Sequence, residues 1–284
     1  MTALPILETS TDHALPQRVK PFLKWAGGKF RVLDEILPRL PRGDRLIEPF
    51  AGSAAVSLNA GFECAQVSDY NSDLANLYRI VRDRPDDFLE ELRKLFLVGN
   101  EKDTYLSLRN EFNESLDAFR RSVIFTYMNR HGFNGLCRYN SKGIYNVPFG
   151  RYKNPHFPEA EVVKFHKRSQ KFKFSGVDFE TAMSEASAGD VIYCDPPYVP
   201  LSATSNFTAY SRNAFGFDQQ KRLAGLSKKC AKKGVPVLIS NHDTPDARAL
   251  YKGAKIYSFP VRRYISSNAS TRGDAQEILA LYLP

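Results

Sequence analysis

"LIEPFAGSAAVSLNAG", residues 46–61, is the stretch on which the fold turns. Leu46 and Ile47 open an apolar strand, Gly52 sits in a tight turn, and "SAAVSLNA" keeps helical spacing up to Gly61. Strand, glycine turn and helix in this order let backbone N–H groups approach a ligand closely. The stretch is not G-x-G-x-x-G, so the dinucleotide fingerprint is absent, and a plain strand-to-helix turn satisfies the same pattern. Working outward, "CAQVSD" (64–69) reads as a second strand and "NSDLANLYRIVRD" (71–83) as a helix capped by Asn71 or Ser72. Upstream, "FRVLDEILPRL" (30–40) has helical spacing. This rhythm predicts a mostly parallel sheet. Asp69 follows the second strand at about the separation, ~20 residues from the glycine turn, of a carboxylate that binds ribose hydroxyls. The two features together point to a nucleoside-bearing cofactor.

From about residue 84 to 131 the rhythm changes to successive amphipathic helices with no strand between them. After them comes "GFNGLCRYNSKGIYNVPFGRYKNP" (132–155), which is aromatic, basic and glycine-punctuated. Its "NSKG" turn between two alternating stretches predicts a hairpin. Strands resume near 172–175, 191–194, 235–240 and 255–259, and "VRRYISSNASTRGDAQEILALYL" reads as two strands around a polar loop. The expected organisation is a tail (1–19), a discontinuous α/β core (20–83 and 165–284) and an insert (84–164).

Composition narrows the function. The 284 residues are 43% hydrophobic and 25% charged, as in an ordinary globular protein. A net charge of +9 and a pI near 9.3 favour an anionic partner. No apolar run approaches the ~20 residues of a spanning helix, and residues 1–20 lack the basic start and apolar core of a signal peptide. Cys64, Cys137, Cys194 and Cys230 form no C-x-x-C or Cys/His cluster, so no metal is expected. Cys64 and Cys194 lie in apolar strand-like runs and are expected to be buried thiols, in a reducing cytoplasm.

"VIYCDPPYVP" (191–200) ends an apolar strand on a carboxylate, two prolines and a tyrosine. Asp195 precedes a proline and is biased to extended backbone. Pro196 and Pro197 have no N–H, so the tip offers acceptors with few competing donors, and Tyr198 adds a flat face. Such a tip suits a planar group that carries N–H donors; a strand end followed by a proline turn is the plainer reading. "FLKWAGGKF" (22–30) fails the P-loop pattern, since Leu23 stands where a glycine is needed and Phe30 where Ser or Thr would hold magnesium. Read alone, it makes Trp25 a core anchor and Lys29 a solvated lysine.

These pieces in this order resemble the DNA adenine-N6 methyltransferases of the Dam (GATC-type) family, from about Pro21 to Leu283. The resemblance is carried by "FLKWAGGKF", "LIEPFAGSA", "SDYNSDL", "MNRHGFNGLCRYNSKGIYNVPFGRYKNP", "VIYCDPPYVPLSATSNFTAY" and "VLISNHD". It implies a Rossmann-like S-adenosylmethionine-dependent methyltransferase sheet with an inserted helical plus β-hairpin target-recognition domain. It also implies a monomer acting on adenine N6 in double-stranded DNA, within GATC. Asp195 and the Pro196 carbonyl would accept the two N6 hydrogens, with Pro197 and Tyr198 completing the catalytic tip. Trp25, Lys29, Glu48, Phe50, Gly52, Asp69 and Asp195 would line the cofactor site. Lys24, Phe133, Asn134, Leu136, Arg138, Asn140, Asn146, Pro148, Arg151, Ser202 and Thr204 would meet DNA. An adenine inside a duplex cannot reach such a pocket, so the base must flip out.

Two positions depart from the family pattern. The cofactor loop usually reads Phe-x-Gly-x-Gly and here carries Ala54 at its last position. Alanine at a helix start costs little sterically, so cofactor binding is expected to survive. Phe133 stands where relatives often carry tyrosine, a change that stacking tolerates. Three rivals fit less well. RNA adenine methyltransferases usually carry Asn in place of Asp195, nicotinamide oxidoreductases need the missing glycine fingerprint, and a catalytically dead DNA-binding module would not need Asp195–Tyr198 and Asp69 intact.

Overall fold

The computed structural model describes residues 18–199, 215–262 and 274–284. The first half runs α1 (Leu33–Ile36), β1 (Arg45–Glu48), α2 (Ala55–Asn59), β2 (Cys64–Ser68) and α3 (Ser72–Asp83), then α4 (Pro85–Val98), α5 (Lys102–Glu114) and α6 (Ala118–His131). The second half runs α7 (Glu159–Arg168), β3 (Phe172–Ser175), α8 (Phe179–Ser184), β4 (Asp190–Cys194), α9 (Phe217–Lys232), β5 (Val237–His242), α10 (Pro245–Leu250), β6 (Lys255–Arg262) and β7 (Asp274–Tyr282).

The seven strands form one sheet in the order β3-β2-β1-β4-β5-β7-β6. The first five are parallel, and β7 runs antiparallel between β5 and β6. Connections run outward in opposite directions from β1 and β4, so the topological switch point lies between those two strands. In an open α/β sheet the ligand crevice sits there, beyond the carboxyl ends of the strands. At the opposite, N-terminal ends of these strands Arg45 fixes the β1–β4 register with two bonds to Asp190, at 2.9 Å (Nε) and 2.7 Å (Nη2).

The period of two along each strand builds two cores. Leu46, Val191, Tyr193, Leu238 and Leu279 face one side, with α1 to α7. Ile47, Ile192, Cys194, Ile239 and Ile278 face the other, with α8, α9 and α10. β4 is buried along its whole length, as its apolar sequence requires. Asn71 caps α3 by accepting from Asp73 N.

The inserted helices gather around α6, which is buried from Ser122 to His131. Its Asn129 is 1% exposed and accepts from Lys24 N while donating to Lys24 O, both at 2.8 Å. That clamp ties the 22–30 loop to the insert.

Three expectations are corrected. The 30–40 helix is broken into a 3₁₀ turn, the four residues of α1 and a second 3₁₀ turn, the last at Pro38. Cys64 is partly exposed, because it begins its strand, whereas Cys194 is buried. The hairpin reverses at Asn140–Gly143, yet only isolated bridges, Gly132 to Phe149 and Tyr139 to Tyr145, join its arms. The reason lies in α5: Asn113 accepts from Tyr145 N at 2.8 Å and donates to its carbonyl at 3.1 Å. Tyr105 and Arg109 likewise take the Val147 carbonyl at 3.0 and 3.1 Å. Helix side chains here replace the ladder of a partner strand.

Candidate active site

β1, β2 and β4 deliver their C-terminal turns to the switch point. After β1, Gly52 has φ +46, and a Cβ there would lie 2.8 Å from Trp25 Nε1. Only glycine lets the indole come this close. Gly52 N donates to Asp69 Oδ2 at 3.1 Å, and Asn71 N donates to Oδ1 at 2.9 Å. Tyr78 Oη donates to the Gly52 carbonyl. Burial raises Asp69 above the usual carboxylate range while those two N–H groups pull it down. An aromatic face, a glycine turn without Cβ and a carboxylate held by backbone donors fit a nucleoside-bearing group.

Glu48, 2% exposed, lies beneath this turn and accepts from Ser57 N at 3.0 Å and from Ser57 Oγ. Burial pushes it up to about 8, against the pull of the two Ser57 hydrogen bonds. Phe50 stacks on Phe179 at 5.4 Å, in the second core.

Ala54 does not stand at an ordinary helix start. It has φ 55 and ψ 26, the left-handed region, so the position is one that favours glycine. For an L-residue that conformation costs roughly 1–2 kcal/mol. The side chain is 0% exposed, and burial of one methyl returns about 0.8 kcal/mol. Burial of the methyl therefore offsets part of the left-handed cost, and alanine is accommodated here.

After β4 the backbone turns at Asp195. Lys29 Nζ lies 2.9 Å from Asp195 Oδ1, in an ion pair whose angle leaves that buried oxygen without a well-aligned hydrogen bond. Lys29 also donates to Gly27 O at 2.7 Å and sits 4.7 Å from the Tyr198 ring centroid. It is 7% exposed, which overturns the solvated reading, and Trp25 is only partly buried. Burial raises Asp195 to about 6 against the pull of Lys29. Its side chain keeps 19% exposure, enough for a substrate group to reach it. Pro196 is buried and Pro197 exposed. Tyr198 Oη donates to Glu277 Oε2 at 3.0 Å, and its ring meets His242 edge-on at 4.7 Å.

Of the residues expected to meet DNA, those described are Lys24 and residues between 133 and 151. Lys24 packs against Gly135, where a Cβ would come within 2.4 Å, and its Nζ lies 3.9 Å from the Tyr152 ring centroid. Phe133 is 48% exposed, a large apolar side chain in solvent. Asn134 and Arg151 are exposed with φ near +53, and Pro148 is exposed. Leu136 is half-buried. Arg138 is exposed and braced by Asn146, with Nε 2.7 Å from Asn146 Oδ1. Asn140 Oδ1 accepts from Lys142 N and Ile144 N, holding its own turn. Ser202 and Thr204 lie outside the described residues.

Sequence reasoning missed Gln220, Asn241, His242 and Glu277, which surround the tip. Asn241 carried a signal, a polar residue ending the apolar run "VLISN"; Gln220 and Glu277 carried none, because the topology alone brings α9 and β7 to β4.

Residues 25–265 match the family of D12 class N6 adenine-specific DNA methyltransferases. The chain belongs to this family. It is 50% identical to the DNA adenine methylase of Escherichia coli (strain K12) over 264 residues, 93% of this chain and 95% of that protein. The Serratia marcescens methylase is 50% identical, over 92% and 97% of the two chains. A Vibrio cholerae serotype O1 methylase is 46% identical over 94% and 98%. The solved rRNA methyltransferase aviRa from Streptomyces viridochromogenes, at TM-score 0.37 and 11% identity over 91% of this chain and 87% of that one, is too distant to carry an argument. The protein is therefore an adenine-specific DNA methyltransferase, and the family implies S-adenosylmethionine as methyl donor. Among the described residues no helix is long and apolar enough to cross a membrane, and no group of three His, Cys, Asp or Glu side chains could hold a metal.

Proposed function

We propose that this methyltransferase acts on N6 of an adenine flipped out of double-stranded DNA, within GATC. The observation that carries the reading is the Asp195 tip: a part-exposed carboxylate beside a proline carbonyl, at the switch point of the sheet. The N6 lone pair is delocalised into the ring. If Asp195 and the Pro196 carbonyl accept the two N6 hydrogens, the lone pair is localised and aimed. Tyr198 presents a ring for the base to stack on. Trp25, Gly52 and Asp69 would hold the adenosine end of S-adenosylmethionine, with Glu48 and Phe50 supporting the loop from below. That cofactor, when bound, supplies a methyl group made electrophilic by its positively charged sulfur. Lys29 would partner the Asp195 carboxylate until the amine arrives.

On the insert, the exposed ring of Phe133 suits filling the stack that a flipped base leaves. Lys24, Asn134, Leu136, Asn140, Pro148 and Arg151 would follow the duplex, and exposed Lys142 and Lys153 add charge beside them. The proposed division is a core of 20–83 and 165–284 and a recognition domain of 84–164. The proposed unit of action is a monomer, without a metal. Free thiols at all four cysteines fit a cytoplasmic setting.

Three measurements test this reading. Duplexes with a single GATC should be methylated, and duplexes with GTTC in its place should not. The single-turnover rate should fall as pH drops through about 6, because a protonated Asp195 has lost the charge that draws the amine hydrogens. Arg138→Ala should lower discrimination at one base pair by about 1–3 kcal/mol, read from cognate and near-cognate kcat/KM. A uniform loss across all sequences would make Arg138 a phosphate contact.

A further inference from the structure

Two prolines leave the Asp-Pro-Pro-Tyr tip without N–H groups at 196 and 197, so it cannot anchor itself by a backbone ladder. The anchors come from a buried set of polar side chains. Gln220, on the first turn of α9, is 2% exposed, and Asn241, near the end of β5, is 0% exposed. Gln220 Nε2 donates to the Pro197 carbonyl at 2.6 Å. Asn241 Oδ1 accepts from Val199 N at 3.0 Å and from His242 N at 2.9 Å. Its Nδ2 donates to Tyr251 Oη at 2.8 Å and to Gln220 Oε1 at 3.3 Å, and Tyr251 Oη donates to the same Gln220 oxygen at 3.0 Å. His242 Nδ1 lies 2.8 Å from the Val199 carbonyl.

The orientation of these amides is not arbitrary. Two backbone N–H groups fix which end of Asn241 is oxygen, and that choice fixes Gln220 in turn. The effect is to sort two neighbouring carbonyls. Pro197 O is tied back to α9, while among the described residues no donor takes Pro196 O. We infer that Gln220 and Asn241 are positioning residues for methyl transfer, holding residues 197–199 so that the Pro196 carbonyl stays available beside Asp195. The inference rests on the proposed role of that tip.

A merely structural network would cost stability without touching the chemical step, and kinetics separate the two. Gln220→Met keeps the volume and removes the bond to Pro197. Tyr251→Phe removes one hydroxyl and leaves the Gln220–Asn241 bond in place. Ser227→Ala is the control: that hydroxyl is buried on α9 and, among the described residues, bonds only to Leu223 O, at 2.8 Å. With saturating S-adenosylmethionine and duplex, the single-turnover rate should fall by about 10- to 100-fold in Gln220→Met, since misplacement of about 1 Å can cost 10²-fold. Tyr251→Phe should show a smaller loss in the same direction, and Ser227→Ala should keep the wild-type rate. The Kd values for S-adenosylmethionine and duplex should stay within about threefold throughout. Folded Gln220→Met and Tyr251→Phe proteins at the wild-type rate would overturn the inference, as would a rate loss matched by lost cofactor binding. Asp195→Ala is measured alongside: if it stays active, the reading of the tip fails, and if it alone is inactive, only the positioning role fails.

Discussion

Asp195→Ala is expected to lower the rate of methyl transfer by about 10²-fold or more, the cost of removing one preorganised group from a developing charge. Within residues 195–198 the carboxylate is the one charged group, and the Pro196 carbonyl alone can hold one of the two amine hydrogens. Duplex affinity should change little, because the phosphate contacts proposed for the insert would dominate it. Asp195→Asn should lose less than Asp195→Ala, since its amide oxygen still accepts a hydrogen bond but carries no charge. Single-turnover rates beside duplex titrations check both. Turnover within threefold of wild type would remove Asp195 from the chemistry.

Gly52→Ala is expected to weaken S-adenosylmethionine binding by at least about tenfold. The new Cβ would lie 2.8 Å from Trp25 Nε1 and 3.0 Å from Cδ1, both atoms of a rigid ring. The backbone cannot retreat, since Gly52 N is bonded to Asp69 and its carbonyl to Tyr78. A φ of +46 adds left-handed strain of roughly 1–2 kcal/mol. Either the indole leaves the turn or the turn leaves Asp69, and both dismantle the proposed cofactor cradle. Calorimetric titration of wild type and variant with the cofactor measures this. Equal affinity would place the cofactor elsewhere.

Gly52 and Ala54 show what the sequence could and could not disclose. The glycine turn, the strand before it and Asp69 after the next strand were legible from spacing, and they locate the crevice. That position 54 is also left-handed was not, because no pattern of residue types encodes a φ angle where alanine stands in place of glycine. The parallel sheet followed from the alternation of strands and helices. The hairpin was legible as a chain reversal but not as an irregular one, since its partner atoms belong to α5, far away in sequence. The same holds at the tip. Asp195 to Tyr198 are contiguous, whereas Gln220 and Glu277 reach them only through the order of β4, β5 and β7. Lys29 misled in isolation because its burial depends on Asp195, a partner from the other half of the chain.

The tip after β4 is proposed to hold adenine N6 for methyl transfer from S-adenosylmethionine. The most direct test incubates the protein with methyl-labelled S-adenosylmethionine and a duplex carrying one GATC, digests the DNA to nucleosides and separates them. The label is predicted to appear in N6-methyldeoxyadenosine for the wild-type protein and to vanish for Asp195→Ala. Label in a methylated cytosine, or undiminished N6-methyldeoxyadenosine from Asp195→Ala, would contradict the account.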